Sequence, residues 1–239
     1  MNHLEVQKEK DVCWVYLNRP NSMNALNSEM LKELTYFNNS LNEDFETKVV
    51  IYTGKGKNFS AGADIKEQIK SASSLQKWRS NVGKPAILSF INTNQITIAA
   101  INGFCLGGAA CIASACDFRI ASNTAFLGYP EINLGMNLNW FGLPLALRLI
   151  GPAKAKKMVI SGENENSNTL YNWGFYDEVC EEKHLLNSAK RMAELYASKS
   201  ALPAQMIKKS INELVYGHDL STMHMDYDQF LLSRLSLDE

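Results

Sequence analysis

The chain has 239 residues, 46% hydrophobic and 21% charged, with a formal net charge of −1 at pH 7. That length suits one compact domain with room for a real core, and the balance gives no whole-chain field that would draw the protein to nucleic acid or an anionic membrane. Five cysteines (Cys13, Cys105, Cys111, Cys116, Cys180) make an odd count without a CxxC pair, so reduced thiols in a cytoplasmic protein are expected. The N-terminal stretch has charges every few residues and no apolar signal region. No window approaches the roughly 18 apolar residues of a membrane span.

In chain order, DVCWVYLNRP is a β-branched and aromatic run that stops at Pro20 and predicts a strand. NSEMLKELTYFNNSLNED places Met30, Leu31, Leu34, Phe37 and Leu41 on one face, an amphipathic helix with Asn27 or Ser28 as N-cap. KVVIYTG predicts a buried strand closed by Gly54, and KGKNFSAGAD a loop feeding a helix from Ala63 or Asp64. ILSFINTNQ predicts a helix and ITIAAING a second buried strand. FRIAS and AFLGYPEINLG predict short strands and turns, GLPLALRLIG and GPAKAKKMVISG helices, NENSN a polar loop, and FYDEVCE a short strand. Beyond His184 three helical patterns follow with no strand between them. The expected class is therefore α/β, with a core over residues 1–184 and a helical region over residues 185–239.

Three places combine a strand end, glycine and a helix start. In FSAGADIKE, Gly62 lets backbone pass close to a ligand. In NGFCLGGAAC, Gly107 and Gly108 precede a helix whose first N–H groups favour developing negative charge. Two such donors converging from separate loops would make an oxyanion hole. The third place is YPEINLG, where Glu131 stands in an otherwise apolar segment. Other chemistries lack their signatures. There is no GxxxxGK[ST], no GxGxxG and no GxSxG elbow. His3, His184, His218 and His224 are scattered rather than at ligand spacing, so no metal is expected.

In this order and spacing, LNRPNSMNALNSEML, VVIYTGKGKNFSAGADIKE, AAINGFCLGGAACIASACDFRIAS and AFLGYPEINLGMNLNWFGLPLALRLIGPAKAKKMVISG resemble the crotonase superfamily, the enoyl-CoA hydratase/isomerase family. The resemblance implies a crotonase (ClpP-like) spiral of ββα units with a C-terminal helical trimerisation region, assembling as trimers or hexamers. It implies an acyl-CoA substrate whose thioester oxygen is held by the backbone N–H groups of Ala63 and Gly108, with Gly107 beside them. Ala61, Gly62, Asp64 and Ile65 would line the CoA path, and Asn21, Ser22 and Met23, beside Arg19, would cover its nucleotide. No cofactor is implied beyond coenzyme A as part of the substrate.

The departures bear on the reaction. Hydratases of the family carry two glutamates around a water; the second is retained as Glu131, and the first falls on Cys111. Members keeping only the second include Δ3,Δ2-enoyl-CoA isomerases, in which one carboxylate moves a proton. Isomerisation is therefore the leading expectation, with hydration, or a catalytically weak binding subunit, as alternatives. Tyr129, Pro130 and Ile132 are expected to raise the Glu131 pKa by desolvation. Cys111 reads either as a small packing residue or as a thiolate with a lowered pKa near a helix start. Asn139 stands where dienoyl-CoA isomerases place a second carboxylate, and an amide cannot act as a base at neutral pH. Trp140 stands where hydratases carry small residues, so it either reshapes the acyl pocket or fills the core. Family chains commonly continue past FLLSRLSLDE with a helix that contributes to the CoA site. Fewer CoA contacts, or another acyl-thioester carrier, are the corresponding expectation.

Overall fold

The computed structural model describes residues 1–67 and 73–235. The large sheet contains β1 (Leu4–Glu9), β2 (Val12–Leu17), β3 (Val49–Gly54), β4 (Ile96–Ile101), β6 (Phe118–Ser122) and β9 (Glu178–Cys180), adjacent in that order. β1 pairs antiparallel with β2, and every later pairing in this sheet is parallel. β5 (Phe104–Leu106), β7 (Phe126–Gly128) and β8 (Glu165–Asn166) form a second, smaller sheet.

Each turn of the chain uses a strand of the large sheet, a short step in the second layer, and a helix. β4 leads to β5 and then α4 (Gly108–Ala115); β6 leads to β7, a 3-10 turn (Pro130–Leu134) and α5 (Gly142–Ser161). Single bridges between Leu26 and Ala63 and between Ser60 and Cys105 stack the second-layer steps of successive turns. This is the expected spiral, a mixed α/β architecture with a C-terminal helical region.

β3 is buried at every position because both faces of a parallel strand are covered. Val50 and Tyr52 join a core shared with α1 (Ser28–Ser40), α3 (Gly83–Asn92), α4 and α5. Val49 and Ile51 face the other way, onto Leu185, Ala189 and Ala193 of α7 (Leu185–Ala197). The alternation follows the two-residue period of a strand. α8 (Ala201–Thr222) is pinned by the buried Lys208, which meets Asp117 at 2.8 Å and the Gln95 carbonyl at 2.7 Å. A 3-10 turn (Met223–Met225) then starts α9 (Asp226–Leu235), which returns towards α2 (Ser74–Arg79). Tyr227 bonds the Lys77 carbonyl, and Trp78 donates to Asp228. No helix among the described residues is long and apolar enough to cross a membrane.

Asn27 caps α1 as expected, accepting from the Met30 N–H. The two expected helices over 142–161 are one run broken at Gly151, whose φ of 75° and ψ of 167° leave the helical region. One strand was not expected, and two expectations need correction. β1 escapes the sequence pattern because four of its six residues, Gln7 to Glu9 among them, face solvent along a sheet edge. The polar tract at 164–168 contains β8 and the start of α6 (Ser167–Asn172), with Asn166 as its N-cap. No helix begins at Ala63 or Asp64: the Asp64 N–H is committed to the Leu26 carbonyl at 3.0 Å, which holds the backbone in the second layer.

Candidate active site

The first wall of the site is the loop over residues 58–64. The Ser60 N–H donates to the Phe104 carbonyl, and the Leu106 N–H returns to the Ser60 carbonyl. Gly62 has a φ of +90°, and a Cβ there would lie 2.5 Å from the Leu106 carbonyl oxygen and 3.7 Å from the Gly108 nitrogen. Glycine is therefore required for this loop to lie against the next one. The bridge at Ala63 uses the N–H and carbonyl of Leu26 with Gly62 and Asp64 on either side. In a parallel bridge the intervening N–H points away, so Ala63 presents its own to the opposite side. It finds no backbone acceptor among the described residues.

The second wall is the start of α4. Gly107 (φ 54°, ψ −121°) turns the chain out of β5, its N–H donating to the Gly128 carbonyl at 2.9 Å. Gly108 is the first helical residue, so its N–H has no acceptor within the helix. Gly62 packs the first loop directly on the second, so the Ala63 and Gly108 N–H groups come from adjacent loops. The Ala63 N–H is left without a backbone acceptor by the bridge rather than by a helix start.

Glu131 stands on the third wall, in the 3-10 turn that opens at Pro130 and ends at Gly135 (φ 65°). Its carboxylate lies against Gly107, where a Cβ would approach Oε1 to 2.7 Å. Oε2 is buried without a hydrogen-bond partner among the described residues. Burial pushes the Glu131 pKa up to about 7. The direction is the expected one, but its cause differs in part: Ile132 is 45% exposed and contributes little cover, whereas Tyr129 is fully buried and bonded to Ser114.

Cys111 lies one turn into α4 and is fully buried. Its sulfur faces the Asn139 carbonyl at 3.9 Å, and a Cβ at Gly142 would come within 2.5 Å of it. Burial, followed by the nearby Glu131 charge, holds the thiol well above its ordinary pKa. The thiolate reading is therefore corrected: the positive helix end cannot outweigh complete desolvation beside a carboxylate. Asn139 is buried behind this contact. Trp140 is half-buried, and its indole covers both Gly108 and Gly83, where a Cβ would overlap the ring.

The residues assigned to coenzyme A divide into two groups. Arg19 and Asp64 pair at 2.9 Å, and Arg19 also donates to the Ala25 carbonyl, so their charges clamp the 19–26 segment to the 61–64 loop. The Ala61 N–H donates to the Met23 carbonyl in the same junction. Asn24 is fully buried at φ 53° and ties this segment to the Lys55 and Asn58 carbonyls. Asn21, Ser22, Met23, Ala63 and Ile65 are exposed around the clamp. The sequence reading missed Lys84 and Asp226, which meet at 2.7 Å beside the site. They are 142 positions apart, and no local pattern marks either of them. A separate concavity of 550 Å³, lined by Phe104, Phe126, Gly162, Glu163 and Asn164, shares none of the expected site residues.

Known proteins of like sequence and structure agree on the family. The profile of the enoyl-CoA hydratase/isomerase family matches residues 7–234. A short-chain-enoyl-CoA hydratase of Clostridium acetobutylicum is 36% identical over 89% of this chain and 82% of its own. A crotonyl-CoA hydratase of Syntrophomonas wolfei is 32% identical over 98% of this chain and 90% of its own. The crystal structure of an enoyl-CoA hydratase from Bacillus anthracis superimposes with a TM-score of 0.86 at 30% identity, covering 98% of this chain and 91% of that one.

Proposed function

The chain belongs to the enoyl-CoA hydratase/isomerase family, and from that premise we propose that it shifts the double bond of a 3-enoyl-CoA to the 2-position through a single carboxylate, Glu131. The observation that carries this reading is that this carboxylate stands alone at the site among the described residues. The carboxylate of the half-buried Glu131 lies against Gly107 with its Oε2 buried and unpartnered among the described residues, and the group where a second acid would stand is a fully buried thiol. In the proposed reaction the Ala63 and Gly108 N–H groups hold the thioester oxygen. Glu131 takes a proton from the α-carbon, the electron pair is delocalised into the dienolate, and the same carboxyl group returns the proton at the γ-carbon as the double bond moves. A base with a pKa of about 7 suits a proton that must be both taken and returned. Coenzyme A enters as part of the substrate, and the reading needs no further cofactor.

Hydration of a 2-enoyl-CoA is the second reading, favoured by the hydratase names of the relatives. Supplying 3-enoyl-CoA and 2-enoyl-CoA separately to one preparation distinguishes the two. Formation of 2-enoyl-CoA without a 3-hydroxyacyl product is the expected result. Rapid formation of the 3-hydroxyacyl thioester from 2-enoyl-CoA would overturn isomerisation as the main activity. Self-association, as a trimer or hexamer, is part of the same proposal. It is supported by exposed apolar side chains on α8 (Leu202, Met206, Ile207, Leu214) and on the second sheet (Phe104, Phe126). Sedimentation of the purified chain tests it, and a monomer at micromolar concentration would count against it.

A further inference from the structure

We infer that Trp140 sets the acyl-chain limit of this site, and that Asp226 is the positioning residue that holds its indole over the oxyanion glycine. This rests on the acyl-thioester reading above. The reacting carbons would lie between the Glu131 carboxylate at Gly107 and the indole at Gly108, because those two glycines are consecutive and each is covered by one of the two side chains. An acyl chain leaving the α-carbon away from Glu131 therefore meets the flat indole within a few bonds.

The backbone under the ring is unusual. Trp140 and Phe141 have φ values of 56° and 60°, two successive left-handed conformations in bulky residues. Such a pair persists only where the surroundings over-determine it. Here they do. The Phe141 N–H donates to Asp226 Oδ2 at 2.8 Å, and Asp226 Oδ1 accepts from Lys84 Nζ at 2.7 Å. Lys84 also donates to the Met223 carbonyl at 2.6 Å, tying the turn before α9 to the same point. The Asp226 side chain is 1% exposed, and Phe141 is buried with its ring edge-on to Tyr216. Lys84 follows Gly83, the second glycine beneath the indole, so one ion pair fixes both the strained backbone and the surface on which the ring rests. Asn137 adds a second tie to α9, its N–H donating to Ser233 and its amide to Gln229.

The test compares kcat/KM for four-carbon and ten-carbon enoyl-CoA substrates in the full chain. The wild type is expected to favour the shorter substrate strongly. Trp140→Ala is expected to raise the long-to-short ratio about 10-fold or more, the scale on which a few methylenes discriminate in an apolar pocket. Trp140→Phe should move it less, and Asp226→Asn should move it in the same direction as Trp140→Ala. Equal use of both substrates by the wild type, or an unchanged ratio in Trp140→Ala, would overturn the inference. If Trp140→Ala does not fold, competition by butyryl-CoA and decanoyl-CoA against the wild type decides, with equal inhibition overturning it. Loss of thermal stability in Asp226→Asn with an unchanged ratio would remove the positioning role. A wild type that turns over and binds no enoyl thioester would sink the functional reading itself, whereas turnover without chain-length preference would sink only this inference.

Discussion

Gly107 and Gly108 are placed by contacts made within the spiral, through β5, the Gly128 carbonyl and the loop at Gly62. Trp140 and Phe141, across the same small space, are held by Asp226, 85 positions away from Phe141 and on another element. The floor is made of backbone and needs residues that are absent or small. The cover is made of side chains and needs one buried ion pair. A floor of this kind tolerates almost no added atom, whereas a cover of this kind can be changed in shape without losing the reaction.

The sharpest way to test that contrast is to attack the carboxylate resting on the floor. Glu131→Gln is expected to lower kcat by about 10³-fold, the scale of a lost general base, while thioester binding stays close to wild type. In the wild type, kcat/KM should rise as the pH passes up through about 7, because the ionised form accepts the proton. The same group leaves a stability signature. Its folded pKa of about 7 lies above the ordinary glutamate value of 4.5, so the folded state keeps a proton that the unfolded chain has lost. Stability contributed by this proton is therefore full below 4.5 and lost as pH rises through about 7, by up to about 3 kcal/mol. Denaturant titrations across that window should show the slope in the wild type and lose it in Glu131→Gln.

Gly107→Ala comes next. Its Cβ would meet Glu131 Oε1 at 2.7 Å, and its φ of +54° is strained for any side chain. Displacing the carboxylate by about an ångström is expected to lower kcat about 10²-fold. Activity near wild type in a folded Gly107→Ala would break the picture of a backbone floor that admits no added atom.

Arg19→Ala separates the clamp from the chemistry. Removing this partly buried partner of Asp64 should cost about 2 kcal/mol of stability. It should raise KM more than it lowers kcat, since the clamp orders the 19–26 and 61–64 segments rather than the base. A kcat effect as large as that of Gly107→Ala would place Arg19 in the reaction instead. The smallest effect is expected at Cys111. Cys111→Ala should leave the rate within about threefold, under 1 kcal/mol of barrier, and cost about 1 kcal/mol of stability as a small cavity. A rate loss of more than tenfold would show that the thiol takes part after all.

Much of the floor was legible because its requirements are local. Glycine at 62, 107 and 108 answers to close backbone approach, and the Pro130–Glu131 pair marks a short turn carrying one acid. The strands at 49–54 and 96–101 were legible for the same reason, as apolar runs with both faces to be covered. β1 was not, since an edge strand with solvated side chains has no apolar pattern to betray it. The false helix at Asp64 arose because small and charged residues after a glycine fit a helix start as well as they fit a bridged loop.

By itself, then, the sequence determined the α/β class, the two glycine turns and the acid, because each depends on backbone conformation and neighbours a few residues away; the spiral entered only through the family resemblance. Only the tertiary structure decided which N–H the bridge at Leu26 leaves free, that burial holds the Cys111 thiol well above its ordinary pKa, and that Asp226 reaches back to hold Phe141. Those three depend on burial and on partners distant in the chain, and neither quantity is written in a run of residues.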